Sequence, residues 1–580
     1  MTYGPTLKIS EEIHEMKYRG KGETFKEAMS RVADALKDSE EHFLKLKDIL
    51  YNMRFLPAGR VQSAMGAPRT VTPYNCFVSN TIEDSMEGIA QASAEAAKTM
   101  QLGGGIGYDF STLRPRGSLI RSLESRSSGP ISFMGVFDAW CKTIASAGHR
   151  RGAQMGVLRV DHPDIEEFIS AKANSDNLTQ FNVSVGVTDE FMAAVISDTD
   201  FDLRFDGRVY KTVRARYLWD KILRNTWDWA EPGILFIDRI NSKNNLWYCE
   251  TIVATNPCGE QPLPPYGACL LGSFNLTQYI GASEGGSHRY FDFDKFKHDI
   301  VHVVRAMDNV VDRAVYPLPQ QEEEAKSKRR MGLGVTGVAN AIEALGHPYG
   351  SDEFLSVLEE IMSVLRDTTY TTSVSLAIEK GPFPLYDEKY LESGFAKTLP
   401  VPIRNLIRTH GIRNSHLLSV APTGTISLTA DNVSSGIEPV FSLGYDRTIQ
   451  TFDGPKVERV EDYGYRVFGT TGKTAGLLSV FDHVKVLNLA SKYVDSACSK
   501  TCNVGDDVTW EEFKDVYMKA YLGGASGCTT FRAAGKRYGI LNASSSEDVV
   551  EAEKEQDNTD FVDEGGACYY DPETGLRSCE

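Results

Sequence analysis

No stretch of the 580 residues approaches the ~18 apolar residues that a membrane-spanning helix needs, although 41% of the chain is hydrophobic. The membrane class is therefore not expected. The N-terminal MTYGPTLKISEEIHEM lacks a basic segment followed by an apolar one, so the sequence predicts no secretory signal and a cytoplasmic location. Positive charge is also in short supply: 62 basic residues against 79 acidic ones give a net charge of −17. Such a chain repels a nucleic-acid polymer, whereas a single nucleotide needs only a local site. No fixed period repeats along the sequence, which argues against a solenoid or propeller. Ten cysteines spread over this length do not form the dense framework of a small secreted domain. In a reducing cytosol most remain thiols, so a disulfide here is expected to be catalytic. Zinc is the rival reading of paired cysteines, but Cys498 and Cys502 have no second pair at suitable spacing. They are read as structural, and no metal site is expected.

What is present reads as one large catalytic domain with small additions. Thr24 and Glu27 form a capping-box pattern, with apolar residues at helical spacing behind it, so residues 24–53 are predicted as a helix. From Phe55 onward β-prone and amphipathic segments alternate: FNVSVGV at 181–187 reads as a strand and DEFMAAVI at 189–196 as the helix after it. FLSVLEEIMSVLRDTTYTT at 354–372 is a further helix, and Thr509 with Glu512 caps one that stops at Gly523-Gly524. The class is α/β. After Leu541 the chain turns acidic and Ser-rich, as in a tether, yet ends with Cys568 and Cys579. The expected divisions are a helical segment at 1–54, a catalytic domain at 55–541 and a tail at 542–580.

The segment ATNPCGEQPLPPYGACLLGSFNL, at 254–276, is the most informative in the chain. It sets Asn256, Cys258 and Glu260 at alternate positions, and Cys269 follows eleven residues after Cys258. In an extended loop alternate side chains point the same way, which brings an amide, a thiol and a carboxylate to one spot. Spacing alone leaves the alternative open that Cys258 is a small buried residue in a turn.

NPCGE occurs together with YNCFVSN at 74–80, GGGIGYDFSTLRPRG at 103–117, FNVSV at 181–185, MGLGVTG at 331–337 and APTGTISLTADNVSSGIEP at 421–439. This ordered set resembles the large-subunit core of ribonucleotide reductases over roughly residues 50–540. The resemblance implies a ten-stranded α/β barrel of two parallel five-stranded halves, with an inner finger loop carrying Cys258. It implies that Cys258 becomes a thiyl radical, that Glu260 is the general base for the 3′-hydroxyl and that Asn256 orients the sugar. Cys76 and Cys269 match the family's redox pair, and Cys568 and Cys579 look like the shuttle that re-reduces it by exchange with a thioredoxin- or glutaredoxin-like protein. Related tails often carry a further cysteine after CE, where this sequence ends at Glu580. Thr423, Gly424, Thr425 and Ser427 resemble the substrate-phosphate loop.

Relatives fed by a separate iron or manganese subunit need a tyrosine pair after the last large helix. In GCTTFRAAGKRYGIL at 527–541 those positions hold Thr529 and Thr530, so the chain is most similar to the adenosylcobalamin-dependent class II branch. SNTIEDSMEGI at 79–89 and SAGHRRGAQMG at 146–156 resemble the specificity site, where a deoxynucleotide or ATP effector selects the base. Asp84, Ser85, Arg150, Arg151 and Lys172 are its candidate residues, and 172–180 the loop carrying the signal. A homodimer is expected, and overall ATP/dATP on/off control is not, since no ATP cone precedes the core. Two competing readings are a class I-like subunit served by a ferritin-like partner and a noncatalytic nucleotide-binding regulator. Diphosphate and triphosphate substrates are not separated, with diphosphates preferred.

Overall fold

A computed structural model of the chain describes residues 3–120, 124–146, 150–151, 153–173, 177–283, 285, 288–451, 454–505, 507–532, 569–570 and 577–578. The predicted capping box holds: Glu27 N–H donates to Thr24 Oγ1 and Thr24 N–H to Glu27 Oε2, opening helix Phe25–Leu36. The single helix expected over 24–53 is instead two. Lys37 leaves the helical region, Ser39 accepts from His42 N–H, and a second helix runs Glu40–Tyr51. A serine aimed at its own backbone competes with helix continuation and favours a new start. The helix expected at 354–372 extends over Asp352–Lys380, and Thr509 caps Trp510–Leu522, which ends at Gly523.

The largest sheet has eight strands. Five are parallel and adjacent in the order Cys76–Val78, Gly105–Asp109, Gln154–Arg159, Phe181–Val187 and Gly233–Phe236. Ala268–Cys269 pairs antiparallel on the Cys76 edge. On the other edge Gly527–Arg532 runs antiparallel to Gly233–Phe236 and parallel to Thr501–Val504. A three-stranded sheet joins Phe55–Pro57, Leu271–Asn275 and Gly332–Thr336, the last two parallel. Isolated parallel bridges link Leu333 to Leu418 and Val420 to Cys498.

Parallel strands need long crossovers, and helices supply them here: Met86–Gln101, Pro130–Thr143 and Ala215–Trp229 lie between successive strands of the first sheet. Helices on one face and an inner loop on the other bury these strands at nearly every position, the ends at Asp109 and Arg159 excepted. Phe181–Val187 is accordingly buried at every position, and its alternation separates apolar Phe181, Val183 and Val185 from polar Asn182 and Ser184. No described helix is long and apolar enough to cross a membrane.

The helix Lys8–Tyr18 is tied to a distant part of the chain. Thr6 N–H and Oγ1 donate to Asp431, and Ser10 Oγ donates to Leu428 O, which sets this helix against Gly424–Thr429.

Candidate active site

Ala254–Thr255 and Pro262–Leu263 form a short antiparallel hairpin whose tip is 256–261. The tip is a turn, not the extended segment expected from the alternating pattern. Asn256 N–H donates to Gln261 O, Gln261 N–H donates back to Asn256 Oδ1, and Gly259 takes φ +82°, where only glycine is unstrained. The turn brings Cys258 and Glu260 to the wall of one cavity. Asn256 is fully buried behind it, and its Nδ2 has no hydrogen-bond partner among the described residues.

Three glycines let the hairpin approach the sheets. A Cβ on Gly107 would lie 1.8 Å from Thr255 O, and one on Gly332 2.3 Å from Gln261 Nε2. On Gly334 it would lie 2.2 Å from Ser419 O, in the segment that holds the loop from the other side. The loop's carbonyls are then fixed. Asn182 Nδ2 donates to Pro257 O at 3.1 Å, while Ser419 Oγ at 2.9 Å and Ala497 N–H at 3.0 Å donate to Glu260 O. Burying backbone without strain requires such partners.

Cys76 and Cys269 are direct partners in the antiparallel pair. Opposed Cα atoms in such a ladder are about 4.5–5.5 Å apart, inside the window of about 4.4–6.8 Å that a disulfide spans. Both are buried and in the reduced form here. Burial, then Cys76, Glu260 and Cys258 nearby, push the Cys269 thiol well above its ordinary range, so it keeps its hydrogen at neutral pH.

The cavity, about 150 Å³, is lined by Asn75, Cys76, Cys258 and Glu260, and also by Thr423, Gly424 and Thr425. Thr423 is left-handed, at φ +56°, and its Oγ1 accepts from Gly436 N–H at 2.8 Å and meets Thr336 Oγ1 at 2.9 Å. Ser427 is turned to Ser435 Oγ at 2.9 Å and is not part of the lining. Arg60, Arg69 and Lys17 also stand in the wall. Sequence reasoning missed these three, and also Asn75, Asn182 and Ser419. A usable signal was present in Gly103-Gly104-Gly105-Ile106-Gly107 and Gly332-Leu333-Gly334, since alternate glycines in a strand mark a close backbone approach.

The ribonucleotide reductase barrel domain family matches residues 74–531, which span the hairpin, Cys76, Cys269 and the Thr423 loop. The chain belongs to the ribonucleotide reductases. A vitamin B12-dependent ribonucleoside-diphosphate reductase of Thermoplasma acidophilum is 33% identical over 564 residues, covering 92% of this chain and 70% of that protein. One of Mycobacterium tuberculosis H37Rv is 33% identical over 562 residues, covering 92% and 74%. A vitamin B12-dependent ribonucleotide reductase of Streptomyces clavuligerus is 28% identical, covering 93% and 64%.

In this reductase chain the described side chains of Asp84, Ser85 and Lys172 each have separate partners. Asp84 is engaged by Arg114, whose Nε lies 2.7 Å from Oδ2, and Ser85 caps Met86–Gln101 by accepting from Gly88 N–H at 3.0 Å. Lys172 sits in a buried pair with Glu231 at 2.7 Å and also donates to Phe181 O. Arg150–Arg151 pairs with Ala145–Ser146 through the backbone. Residues 147–149, 152 and 174–176 of the expected effector segments lie outside the described residues. Thr529 and Thr530 lie on the strand Gly527–Arg532, with Thr530 Oγ1 3.0 Å from the buried Tyr517 hydroxyl. Cys498 forms its bridge with Val420, and burial pushes its thiol up to about 12; Cys502 is hydrogen-bonded to Cys528 on the neighbouring strand. Among the described residues no three or more His, Cys, Asp or Glu side chains are arranged to hold a metal. Cys568 and Cys579 lie outside the described residues, but the backbone pair Tyr569–Tyr570 with Arg577–Ser578 is described, and Arg577–Ser578 lies against Gly424–Thr429.

Proposed function

We propose that this chain reduces ribonucleoside diphosphates to 2′-deoxyribonucleotides by thiyl-radical chemistry that depends on adenosylcobalamin. One observation carries the reading: Cys76 stands opposite Cys269 in a strand pair whose cavity also holds Cys258 and Glu260. Through Cys76, a two-electron reductant and a hydrogen abstractor thus meet at one cavity wall. Cys258, 5% exposed at the cavity wall, fits a cofactor that works from the cavity side and needs no tyrosine relay at Thr529 and Thr530. Adenosylcobalamin, when bound, supplies the radical that removes the Cys258 thiol hydrogen.

The protein's own groups account for the rest. The Cys258 sulfur takes the 3′ hydrogen, Glu260 takes the 3′-hydroxyl proton, and Asn256 Nδ2 offers a donor to the sugar. The 2′-hydroxyl leaves as water with a proton from one thiol of the pair, C2′ takes its replacing hydrogen from the other, and Glu260 returns the proton to the 3′-oxygen. Cys76 and Cys269 give up two electrons in forming their disulfide, and Cys258 returns the hydrogen to C3′. Thr423, Gly424 and Thr425 hold the 5′-phosphate through hydroxyls and N–H groups, with Ser427 bracing the loop from behind. Cys568 and Cys579 then reopen the disulfide by exchange and are themselves reduced by a thioredoxin- or glutaredoxin-like partner. The contact of Arg577–Ser578 with the cavity's Gly424–Thr429 wall supports that route.

The eight-stranded sheet, the three-stranded sheet and the two bridges support a closed ten-stranded barrel as the fold's simplest connection. It occupies 55–541, between the helical 1–54 and the tail 542–580. Val136 and Trp140, one turn apart on Pro130–Thr143, are 45% and 44% exposed, which supports a homodimer through that face. A deoxynucleotide or ATP effector would bind near it through Asp84, Ser85, Arg150 and Arg151, with Lys172 anchoring the signalling loop. A cytoplasmic location suits a thiol pair that must be re-reduced after each turnover.

The test is CDP reduction by the purified chain with effector and a dithiol, with and without adenosylcobalamin. Deoxynucleotide should form only with the cofactor and without any second protein, and Cys258→Ser should abolish it. Activity that instead requires a metal-loaded ferritin-like protein would overturn the cofactor assignment.

A further inference from the structure

The cavity collects charge that the chain as a whole lacks. Within a sequence of net charge −17, its wall carries, among the described residues, three cations, Lys17, Arg60 and Arg69, and one carboxylate, Glu260. None of the three belongs to the matched barrel domain, which begins at residue 74.

Each is placed by a specific contact. Lys17 lies in the last turn of Lys8–Tyr18, the helix packed on Gly424–Thr429, so it stands on the same side as the Thr423 loop. The Arg60 guanidinium lies flat over Gly103: a Cβ there would come within 2.6 Å of Nη1, 2.7 Å of Cζ and 2.9 Å of Nη2. Gly103 also has φ +96°, so no other residue suits the position. Arg69 is held by Nε donating to Ser63 O at 3.1 Å.

We propose that Lys17, Arg60 and Arg69 form a cationic subsite for the second phosphate of a ribonucleoside diphosphate. Residues before the matched region, which starts at 74, thereby become determinants of phosphate number. This rests on reading the cavity as a ribonucleotide site. The hydroxyls and N–H groups of Thr423–Thr425 suit one phosphate, since they orient it without neutralising it. A second phosphate adds charge in a partly dehydrated space, where a guanidinium fork and an ammonium pair with it more strongly than neutral donors do.

The experiment measures binding of CDP and CMP to the full chain by equilibrium dialysis, with Lys17→Gln/Arg60→Gln beside the unaltered protein. The unaltered chain should bind CDP at least about tenfold tighter than CMP, with the preference weakening as salt rises. The double variant should lose about tenfold in CDP affinity and at most about threefold in CMP affinity, which collapses the preference. A ratio that survives in the variant, or an equal loss of both ligands, overturns the subsite. If Arg60→Gln unfolds, Lys17→Gln and Arg69→Gln each decide the matter, because a ratio unchanged in both also overturns it. CDP reduction is followed in parallel. A chain that shows the predicted ratios but forms no deoxynucleotide overturns the reductase reading alone, and one that reduces CDP with an unaltered variant ratio overturns the subsite alone.

Discussion

Replacing Gly107 by alanine tests whether the approach of the hairpin to the sheet sets the chemistry. The new Cβ would stand 1.8 Å from Thr255 O. A relaxed carbon–oxygen contact is about 3.3 Å, so hairpin and strand must separate by about 1.5 Å. Overpacking of this kind costs about 1–3 kcal/mol, which a domain of this size survives folded. The displaced hairpin carries Cys258 two residues beyond Asn256, and a misplacement of about 1 Å is worth about 10²-fold in rate. Gly107→Ala should therefore lower single-turnover CDP reduction by about 10²-fold or more, equivalent to about 2.7 kcal/mol in the barrier. Near-ultraviolet dichroism should remain that of a folded protein. Gly476→Ala is the control, because nothing lies within 4 Å of its Cβ position. If Gly107→Ala reacts at more than about a third of the normal rate while Gly476→Ala is unchanged, the hairpin is not held by this contact and the argument fails.

The two cysteine pairs should separate by turnover number. Cys76→Ser or Cys269→Ser should form no deoxynucleotide even once, whereas Cys568→Ser or Cys579→Ser should complete about one turnover per site and then stall with thioredoxin. Identical behaviour of all four rules out a shuttle. Lys500 is fully buried, donating to Glu438 Oε2 at 2.6 Å and to Thr501 O at 3.1 Å, so Lys500→Met should cost about 3–5 kcal/mol in urea unfolding by stranding the carboxylate. A loss under about 1 kcal/mol contradicts that account. His14 accepts from Arg19 Nε at Nδ1 and meets Gln62 Oε1 through Nε2, and burial holds its pKa down at about 3 against an ordinary 6.5. Between these values the unfolded chain binds more protons, so the stability tied to neutral His14 is complete above about 6.5 and is lost as pH falls toward 3. The stability gap between the unaltered protein and His14→Gln should shrink from pH 7 to pH 5. A gap that widens on acidification has the wrong sign.

Local features were legible in the sequence where the interaction is itself local. The capping boxes at Thr24 and Thr509 are hydrogen bonds across three residues, and both form. The break at Lys37–Ser39 was not legible, because periodicity continues through it and only the serine's backbone bond decides. At the site, NPCGE pointed to the chemistry proposed above, but alternation gave the wrong reason for its geometry: the tip is a turn closed by Asn256 and Gln261. The opposition of Cys76 and Cys269 followed from family resemblance, since nothing in residues 76–269 specifies an antiparallel edge. Arg60 escaped notice because its place depends on the separate Gly103 turn, and Lys17 because the place of its helix depends on contacts made more than 400 residues later, such as Thr6 with Asp431.

That last contact has a consequence for biogenesis. During synthesis the helix Lys8–Tyr18 emerges long before its partner Gly424–Thr429, and a helix of 11 residues is marginal by itself in water. At about 5–20 residues per second, more than 20 seconds pass before residue 431 is made. Throughout that interval the buried Ile9 and Ile13 have no wall to pack against. The nascent chain therefore exposes a sticky end while the barrel assembles, and chaperone dependence should map to this helix: polar replacements at Ile9 and Ile13 would relieve aggregation of ribosome-bound intermediates while weakening the finished enzyme.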